Sequence, residues 1–333
     1  MAKVSQRAAM RTPRRRLTAL CALLAAACGE GSGLPGINEP PDDLPGTWAT
    51  AAALPTPRQE MASALISDRI YTPGGLGISG SASAVLEVYD VPSDVWAAAP
   101  DMPEGRHHPG VAAAGGRLFV IGGYEPGTFP GTASADVFIF DPEAQQWTTG
   151  APMPAPRAAH VSVVVGGLIY SIGGVRNGTA SGANEVYDPE ADSWTALAPM
   201  PTAREHLAAA VIGGRIFVVG GRAPDNVSTL EAYTPSTDTW EELAAMPTAR
   251  GGLAGAAING RLYAFGGEIP GVFATTEEYD PVTDTWRRVA DMPTARHGMS
   301  AVTVGGAIHV VGGGTVAGFG ASGAHEVFTP PSP

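Results

Sequence analysis

The sequence predicts an all-β protein built from six repeated units, each containing four short strands. Three observations support this prediction: regularly spaced tryptophans, a glycine pair at a fixed distance in every repeat, and short β-type runs separated by turn residues. The 333-residue chain has 44 glycines and 30 prolines, too many for a largely helical protein of this size. Hydrophobic residues make up 44% of the chain, which is enough for a packed core.

The repeat is defined by residues whose spacing is almost constant. Neighbouring tryptophans lie 46 to 51 residues apart, an arginine follows each of them by ten residues, and a Gly-Gly pair begins sixteen residues later. An aromatic residue comes 13 to 18 residues after each glycine pair, and this is the only interval that varies. The tryptophans are Trp48, Trp96, Trp147, Trp194, Trp240 and Trp286. The arginines are Arg58, Arg106, Arg157, Arg204, Arg250 and Arg296.

Each repeat contains four runs typical of β-strands. In the third copy these are residues 158–165, 168–172, 184–187 and 193–197. Gly166-Gly167 joins the first two runs, and similar pairs in other copies supply the positive φ angles of a tight hairpin. The first run is apolar on both alternating faces, so we expect it to be the innermost strand, packed between neighbouring sheets.

Four-stranded units of this length, with a double glycine and a spaced aromatic pair, resemble Kelch repeats. The resemblance covers residues 46–330 and implies a six-bladed β-propeller. The last copy lacks a tryptophan strand, whereas Trp48 has no aromatic partner before it. We therefore expect residues 298–329 to give three strands of the sixth blade, and residues 46–51 to supply its outer strand and close the ring.

The first residues are typical of an export signal. Residues 1–16 are basic and free of acids, and an apolar run from Leu17 to Ala27 precedes Cys28. This run resembles a bacterial lipobox, which implies a lipoprotein signal peptide over residues 1–27, acylation of Cys28 and a flexible tether over residues 28–45. The alternative is a plain signal peptide with an incidental cysteine. The expected location is the bacterial cell envelope, with the propeller facing the periplasm or the exterior.

Charge and cysteine content exclude several classes of function. Removing residues 1–27 takes away six of 20 basic residues and leaves 14 against 32 acidic ones, so nucleic acid is not an expected partner. Cys21 and Cys28 are the only cysteines, so the mature domain has no disulfide or thiolate metal site. No local spacing resembles a metal-ligand motif, and we expect no metal, no cofactor and a monomeric chain.

The repeat arginines and the variable loops are expected at one end of the propeller. The loops cover residues 76–84, 124–135, 175–183, 222–229, 268–275 and 314–324. A guanidinium can hold a carboxylate, sulfate or phosphate, although the arginine of a Kelch repeat can also bond to backbone carbonyls of the next blade. Four arginines have polar neighbours, and the candidate ligand-binding residues are Arg58, Arg106, Arg204, Arg296, Glu60, His108, His206 and His297.

Two functions follow from these residues. The first is a non-enzymatic recognition module that binds a protein or glycan through the arginine-bearing face. The second is a carbohydrate-active propeller enzyme such as a sialic-acid mutarotase or epimerase, in which Glu60, Glu205 or a histidine moves a proton. A deep pocket with glutamate or histidine beside two or more arginines would favour the enzyme, and a shallow open mouth would favour the recognition module.

Overall fold

A computed structural model describes residues 44–127 and 129–331. The signal peptide, Cys28 and nearly all of the tether lie outside these residues, so their predicted roles stay predictions. Strands and turns make up the described part of the chain, which contains no helix. None of its segments is therefore a helix that could cross a membrane.

The strands form six antiparallel four-stranded sheets, the blades of a propeller. The first strands of blades one to six are Ala64–Ile66, Gly110–Ala114, Val161–Val165, Ala208–Ile212, Ala254–Ile258 and Ser300–Val304. The second strands are Arg69–Pro73, Arg117–Ile121, Leu168–Ile172, Arg215–Val219, Arg261–Phe265 and Ala307–Val311. The third strands are Leu86–Asp90, Val137–Asp141, Asn184–Asp188, Leu230–Thr234, Thr276–Asp280 and His325–Thr329. The fourth strands are Val95–Ala99, Gln146–Gly150, Ser193–Ala196, Thr239–Leu243, Thr285–Val289 and, in blade six, Thr47–Thr50.

Two short ribbons involve the variable loops of blades one and three. Arg58–Gln59 pairs with Leu76–Gly77, and Val175–Arg176 pairs with Thr179–Ala180. Both ribbons are antiparallel and only two residues long. They extend the loops of blades one and three beyond the four-stranded sheets.

The first strands surround the propeller axis, because each contacts the first strand of the next blade and the sixth contacts the first. This confirms their predicted position as innermost strands. The glycine pairs between the first and second strands also adopt the predicted conformation, with φ angles of 61° and 83° at Gly166 and Gly167. Glycine adopts these left-handed angles without steric cost, which explains its presence in the hairpin.

The ring closes as the sequence predicts. Thr47–Thr50 pairs with His325–Thr329, so the beginning and the end of the described chain share blade six. Trp48 lies opposite Phe328, with ring centroids 5.0 Å apart. The equivalent pair in blade three, Tyr187 and Trp194, has a separation of 5.1 Å. The closing strand therefore reproduces the packing of a continuous blade.

Each tryptophan also joins its blade to the preceding one. The indole Nε1 of Trp194 donates a hydrogen bond of 2.9 Å to the carbonyl oxygen of Ala151, just beyond the outer strand of blade two. The other five indoles make the same bond at 2.7 to 2.8 Å. A tryptophan is favoured here because its ring packs on an aromatic neighbour while its N–H reaches a polar partner. The repeated tryptophan spacing therefore marks the contacts between blades.

Candidate functional site

The six repeat arginines are buried inside the blades, where each side chain is fully inaccessible to solvent. Arg58 donates through Nη1 to the carbonyl oxygens of Gly74 and Val85, at 2.6 and 2.9 Å, and through Nη2 to Glu87 at 2.6 Å. A buried guanidinium needs such partners, because an unpaired buried charge is strongly destabilising. The arginine therefore fastens the second and third strands of the blade that follows it.

The carboxylate partner of the arginine is also a repeat residue. It lies two positions before the blade aromatic, and the arginine–carboxylate pairs are Arg58–Glu87, Arg157–Glu185, Arg204–Glu231, Arg250–Glu277 and Arg296–Glu326. Phe138 takes this position in blade two. There Arg106 bonds to Asp136 at 2.7 Å and lies 5.0 Å from the centre of the Phe138 ring.

This burial bears directly on the sequence-based hypothesis for ligand binding. Arg58, Arg106, Arg204 and Arg296 have the same complete burial as Arg157 and Arg250, although their sequence neighbours are more polar. Their Nη atoms bond to carboxylates and carbonyls of their own blades. The geometry therefore favours the structural role of the arginines over contact with a ligand.

The second residue after each arginine lies at the propeller axis, and these six residues form the axial ring. Its members are Glu60, His108, Ala159, His206, Gly252 and Gly298. The N–H of each of the last five donates to the carbonyl of the member before it, at 2.7 to 3.0 Å. The N–H of Met61 donates to the carbonyl of Gly298 at 3.4 Å and completes the circle. The backbone of all six blades is thus joined at one end of the axis.

The axial ring has a left-handed backbone at every position. The φ angles are 50° at Glu60, 56° at His108 and 51° at His206, close to those of the two glycines in the ring. Left-handed angles are uncommon for residues other than glycine. Gly298 also makes room for its neighbour, since a Cβ there would lie 2.6 Å from the Glu60 carboxyl carbon. The ring therefore points a glutamate and two histidines into a small central space.

Four side chains that were predicted as ligand-binding residues meet at this end of the axis. We name Glu60, His108, His206 and His297 the axial cluster. His108 Nε2 lies 3.1 Å from Glu60 Oε2 and 3.0 Å from His206 Nε2. His297 Nδ1 lies 3.1 Å from Glu60 Oε1. Four blades, one, two, four and six, contribute to the axial cluster, although its members are far apart in sequence.

A second set of polar residues surrounds the axial cluster. Glu205 contacts His206 Nδ1, and the side chain of Glu268 lies 3.6 Å from His297 Nδ1 and pairs with Arg222. Arg222 and Glu268 are the first residues of the variable loops of blades four and five, each two residues beyond the start of a glycine pair, and neither was predicted as a ligand-binding residue. The polar residue at this loop position in blades four and five is the signal that could have identified Arg222 and Glu268.

The blade-six loop covers one side of the cluster. The side chain of Gln59 donates to the carbonyl of Gly318 at 2.8 Å and accepts from the N–H of Gly320 at 2.7 Å. The N–H of Gly318 also donates to Glu268 Oε2 at 2.6 Å. These bonds hold residues 314–320 beside the axis. The variable loop of blade six is therefore part of the wall around the candidate site.

Burial and close contact shift the pKa values of the cluster in opposite directions. Burial alone would raise the pKa of Glu60, but His108, His297 and His206 hold it well below its usual range. Burial and then the proximity of His108 keep the pKa of His206 well below normal. Burial opposes protonation of His297, yet Glu60 and Glu268 more than offset it and raise its pKa. These directions favour an ionised Glu60 paired with His297 and disfavour protonation of His206.

The cluster borders a cavity that runs along the axis. The cavity has a volume of about 160 Å³ and is lined by the axial ring, by Ser63 and by first-strand residues that include Ser162 and Ser300. Among the described residues that line it there is no arginine. It is neither the pocket with paired arginines expected of the sugar enzyme nor a bare shallow mouth. Its chemistry comes from carboxylate and imidazole groups.

The variable loops begin beside the axial ring. In blade two, for example, His107 forms a β-bridge with Tyr124, the first residue of the variable loop, and equivalent bridges occur in the other blades. The loops carry five of the seven large exposed apolar side chains in the part of the chain that the structure describes. These are Ile78, Phe129, Ile269, Val316 and Phe319, which are 46 to 71% exposed.

Comparison with known proteins supports the architecture. Residues 46–174, 91–267 and 187–313 match the KLHDC2/KLHL20/DRC7 Kelch-repeats domain. A solved structure titled "Structure of YjhT" superimposes with a TM-score of 0.73, covering 83% of this chain and 96% of that one. Sequence identity with it is 19%, so the likeness concerns the fold.

Curated relatives are similar over single stretches of the chain. Human Kelch-like protein 34 is 32% identical over 127 residues, 37% of this chain and 20% of the relative. Kelch-like protein terF from Aspergillus terreus is 32% identical over 166 residues, 46% of this chain and 35% of the relative. Beta-scruin from Limulus polyphemus is 32% identical over 134 residues, 38% of this chain and 14% of the relative. The matches thus span about a third or less of these relatives. The family match covers most of the propeller, and the chain belongs to the Kelch-repeat family.

Proposed function

We propose that this chain is a non-enzymatic recognition module of the bacterial cell envelope, and that a protein partner docks on its variable-loop face. The observation that supports the proposal is the placement of the exposed apolar side chains. Phe129 and Phe319 are 71% and 46% exposed and belong to loops of different blades on this face. Exposed apolar groups with polar surroundings are typical of protein interaction sites.

The rest of the molecule suits this function. The six arginine pairs, the tryptophan contacts between blades and the axial ring make a rigid support, and the loops on one end differ in length and sequence. Loops on a rigid support commonly carry recognition. Large aromatic side chains can contribute most of the binding energy of a protein interface. Phe129 and Phe319 are the residues we expect to contribute most.

The experiment compares two double variants of the chain. Phe129→Ser/Phe319→Ser changes the variable-loop face. Val95→Ser/Val282→Ser changes exposed apolar residues at the opposite end of the blades, where Val95 begins the fourth strand of blade one and Val282 lies in the turn between the third and fourth strands of blade five. Partners captured from envelope extracts by the native chain are identified by mass spectrometry and then titrated in purified form. We expect the first variant to weaken binding by at least about tenfold and the second to leave it unchanged.

The proposed docking face would be wrong if the Phe129→Ser/Phe319→Ser variant bound the partner as tightly as the native chain while the Val95→Ser/Val282→Ser variant lost binding. A parallel glycan array distinguishes the other ligand class. Binding of a glycan without any protein partner would overturn the proposal that the partner is a protein. Melting temperatures of both variants should match the native value, because all four side chains are exposed.

A further inference from the structure

Three ligand-type atoms of the axial cluster point at one small space. They are Glu60 Oε2, His108 Nε2 and His206 Nε2, and all three lie within 4.8 Å of one another. The two shortest separations are 3.1 and 3.0 Å. A tetrahedral zinc ion with bonds near 2.0 to 2.2 Å would hold its ligand atoms roughly 3.3 Å apart. Both of these separations are within a few tenths of an ångström of that value.

The three atoms do not have enough protons between them for every contact to be a hydrogen bond. His206 Nδ1 faces the carboxylate of Glu205, so the proton of a neutral His206 ring belongs on Nδ1 and its Nε2 has a free lone pair. Glu60 Oε2 is an acceptor as well. Two lone pairs thus face His108 Nε2, which can donate a proton to only one of them.

His107 lies on the far side of the His108 ring. His107 Nδ1 is 2.5 Å from His108 Nδ1, so one proton lies between these two atoms. When His108 supplies that proton, its Nε2 has a free lone pair directed at the same space, as a metal ligand requires.

Every one of the three groups is held by a partner on its far side. His107 holds His108, Glu205 holds His206, and His297 holds the second oxygen of Glu60 at 3.1 Å. Metal-binding histidines commonly have such an outer hydrogen bond, which fixes the ring and the position of its proton. Left-handed backbone at the ring positions adds a second constraint. The three groups are thus oriented in advance.

We propose that Glu60, His108 and His206 form a binding site for a divalent transition metal ion, with Zn²⁺ as the expected occupant. Two imidazoles and one carboxylate are a ligand set suited to zinc. All three side chains also line the axial cavity, so a fourth coordination position faces that cavity. The site draws its ligands from three blades, which is why no local sequence spacing indicates it.

A neighbouring set of groups is less suited to hold the ion. Glu60, Glu268 and His297 also lie within ligand distance of one another. Glu268, however, already pairs with Arg222 and accepts the N–H of Gly318, and His297 Nε2 faces the carbonyl of Val316 at 3.0 Å. These bonds would have to break for metal binding. His297 therefore positions the Glu60 carboxylate and does not bind the ion.

The test is metal titration of the purified chain. The chain is treated with a chelator and titrated with Zn²⁺ in a calorimeter, and Co²⁺ is added separately because tetrahedral cobalt has a strong visible absorption. We expect one Zn²⁺ per chain. Glu60→Gln and His206→Ala should each weaken binding by at least about 100-fold, and Glu205→Gln by about 10 to 100-fold. Ala159 occupies the ring position equivalent to His206, so His206→Ala is compatible with the fold.

The matched control is Glu190→Gln, which changes an exposed glutamate far from the axis and should leave the affinity unchanged. Melting temperatures without metal show whether each variant is folded. If the native chain fails to bind Zn²⁺, or if Glu60→Gln and His206→Ala bind it as tightly as the native chain, the proposal is wrong. The three side chains would then form a hydrogen-bonded cluster only.

Discussion

The indole Nε1 of Trp48 donates a hydrogen bond to the carbonyl oxygen of Ala290, and the two atoms are 2.8 Å apart. This bond connects the closing strand of blade six to blade five. It repeats the bond between Trp194 and Ala151. The N-terminal strand is therefore an integral part of the ring, both in its own blade and at the contact with the neighbouring blade.

The first prediction concerns this closure. Trp48→Ala should destabilise the propeller by about 3–5 kcal/mol, as much as Trp194→Ala, because both substitutions remove a packed indole and an inter-blade hydrogen bond. The measurement is the free energy of unfolding in urea. Val95→Ala, in an exposed position, serves as the control and should have little effect. An unchanged unfolding midpoint for Trp48→Ala would show that the strand does not contribute to stability.

The second prediction concerns the buried arginines. Arg204→Ala should lower the stability by about 3–5 kcal/mol, since it leaves the Glu231 carboxylate buried without its partner. The double variant Arg204→Met/Glu231→Leu should recover a large part of this loss. Arg69→Ala is the control, because its pair with Asp90 is exposed and contributes little. A native melting temperature for Arg204→Ala would instead support a role in ligand contact.

The third prediction concerns acid sensitivity. Tyr279 donates a hydrogen bond of 2.7 Å to Asp284, which also accepts the N–H of Ala244 at 2.8 Å, and these bonds lower the pKa of Asp284. The carboxylate therefore stabilises the fold above its unfolded-state pKa of about 3.9, and this contribution is lost as pH falls through the lower folded-state value.

The matching experiment uses Tyr279→Phe, which removes the hydroxyl group. Phe140 already occupies the equivalent position of blade two, so the ring alone fits a blade. The difference in unfolding free energy between native chain and variant should be larger at pH 7 than at pH 3. An equal difference at both pH values would show that the Tyr279–Asp284 bond does not depend on ionisation of Asp284.

The fourth prediction concerns the proposed lipid anchor. Cys28→Ala should move the protein from the detergent-soluble membrane fraction to the soluble fraction, because an acyl chain is needed for membrane attachment. Cys21→Ala is the matched control and should leave the distribution unchanged. Intact-mass analysis of the native protein should show a mature chain that begins at Cys28 and carries lipid. Cleavage at another position without lipid would contradict the proposal.

The fold could be predicted from the sequence because the contacts that stabilise the propeller recur in every repeat. Tryptophan spacing marks the contacts between blades, glycine pairs mark the hairpins, and the orphan Trp48 identifies the closing strand. The burial of the arginines was harder to predict. The glutamate that pairs with Arg58 or Arg204 occurs two residues before the blade aromatic in five repeats, and this shared spacing was the available signal.

The candidate site could be predicted only in part. The sequence singled out Glu60, His108, His206 and His297 because they interrupt the repeat, and the structure places them together at the axis. Their mutual distances depend on the curvature of the ring and on the left-handed backbone. Neither property is local to one repeat. For the same reason the proposed metal site combines residues that no single stretch of sequence brings together.

The composite sixth blade has a consequence for folding during synthesis. Of the strands that the structure describes, Thr47–Thr50 leaves the ribosome first, yet its partner His325–Thr329 emerges last. Blades one to five can pair their own strands as soon as they are translated, because their contacts are local. The edge of Thr47–Thr50 has no partner in its own blade until translation reaches the sixth repeat. Completion of the ring is therefore a late, long-range event, and a chain interrupted before residue 325 exposes a strand edge at each end.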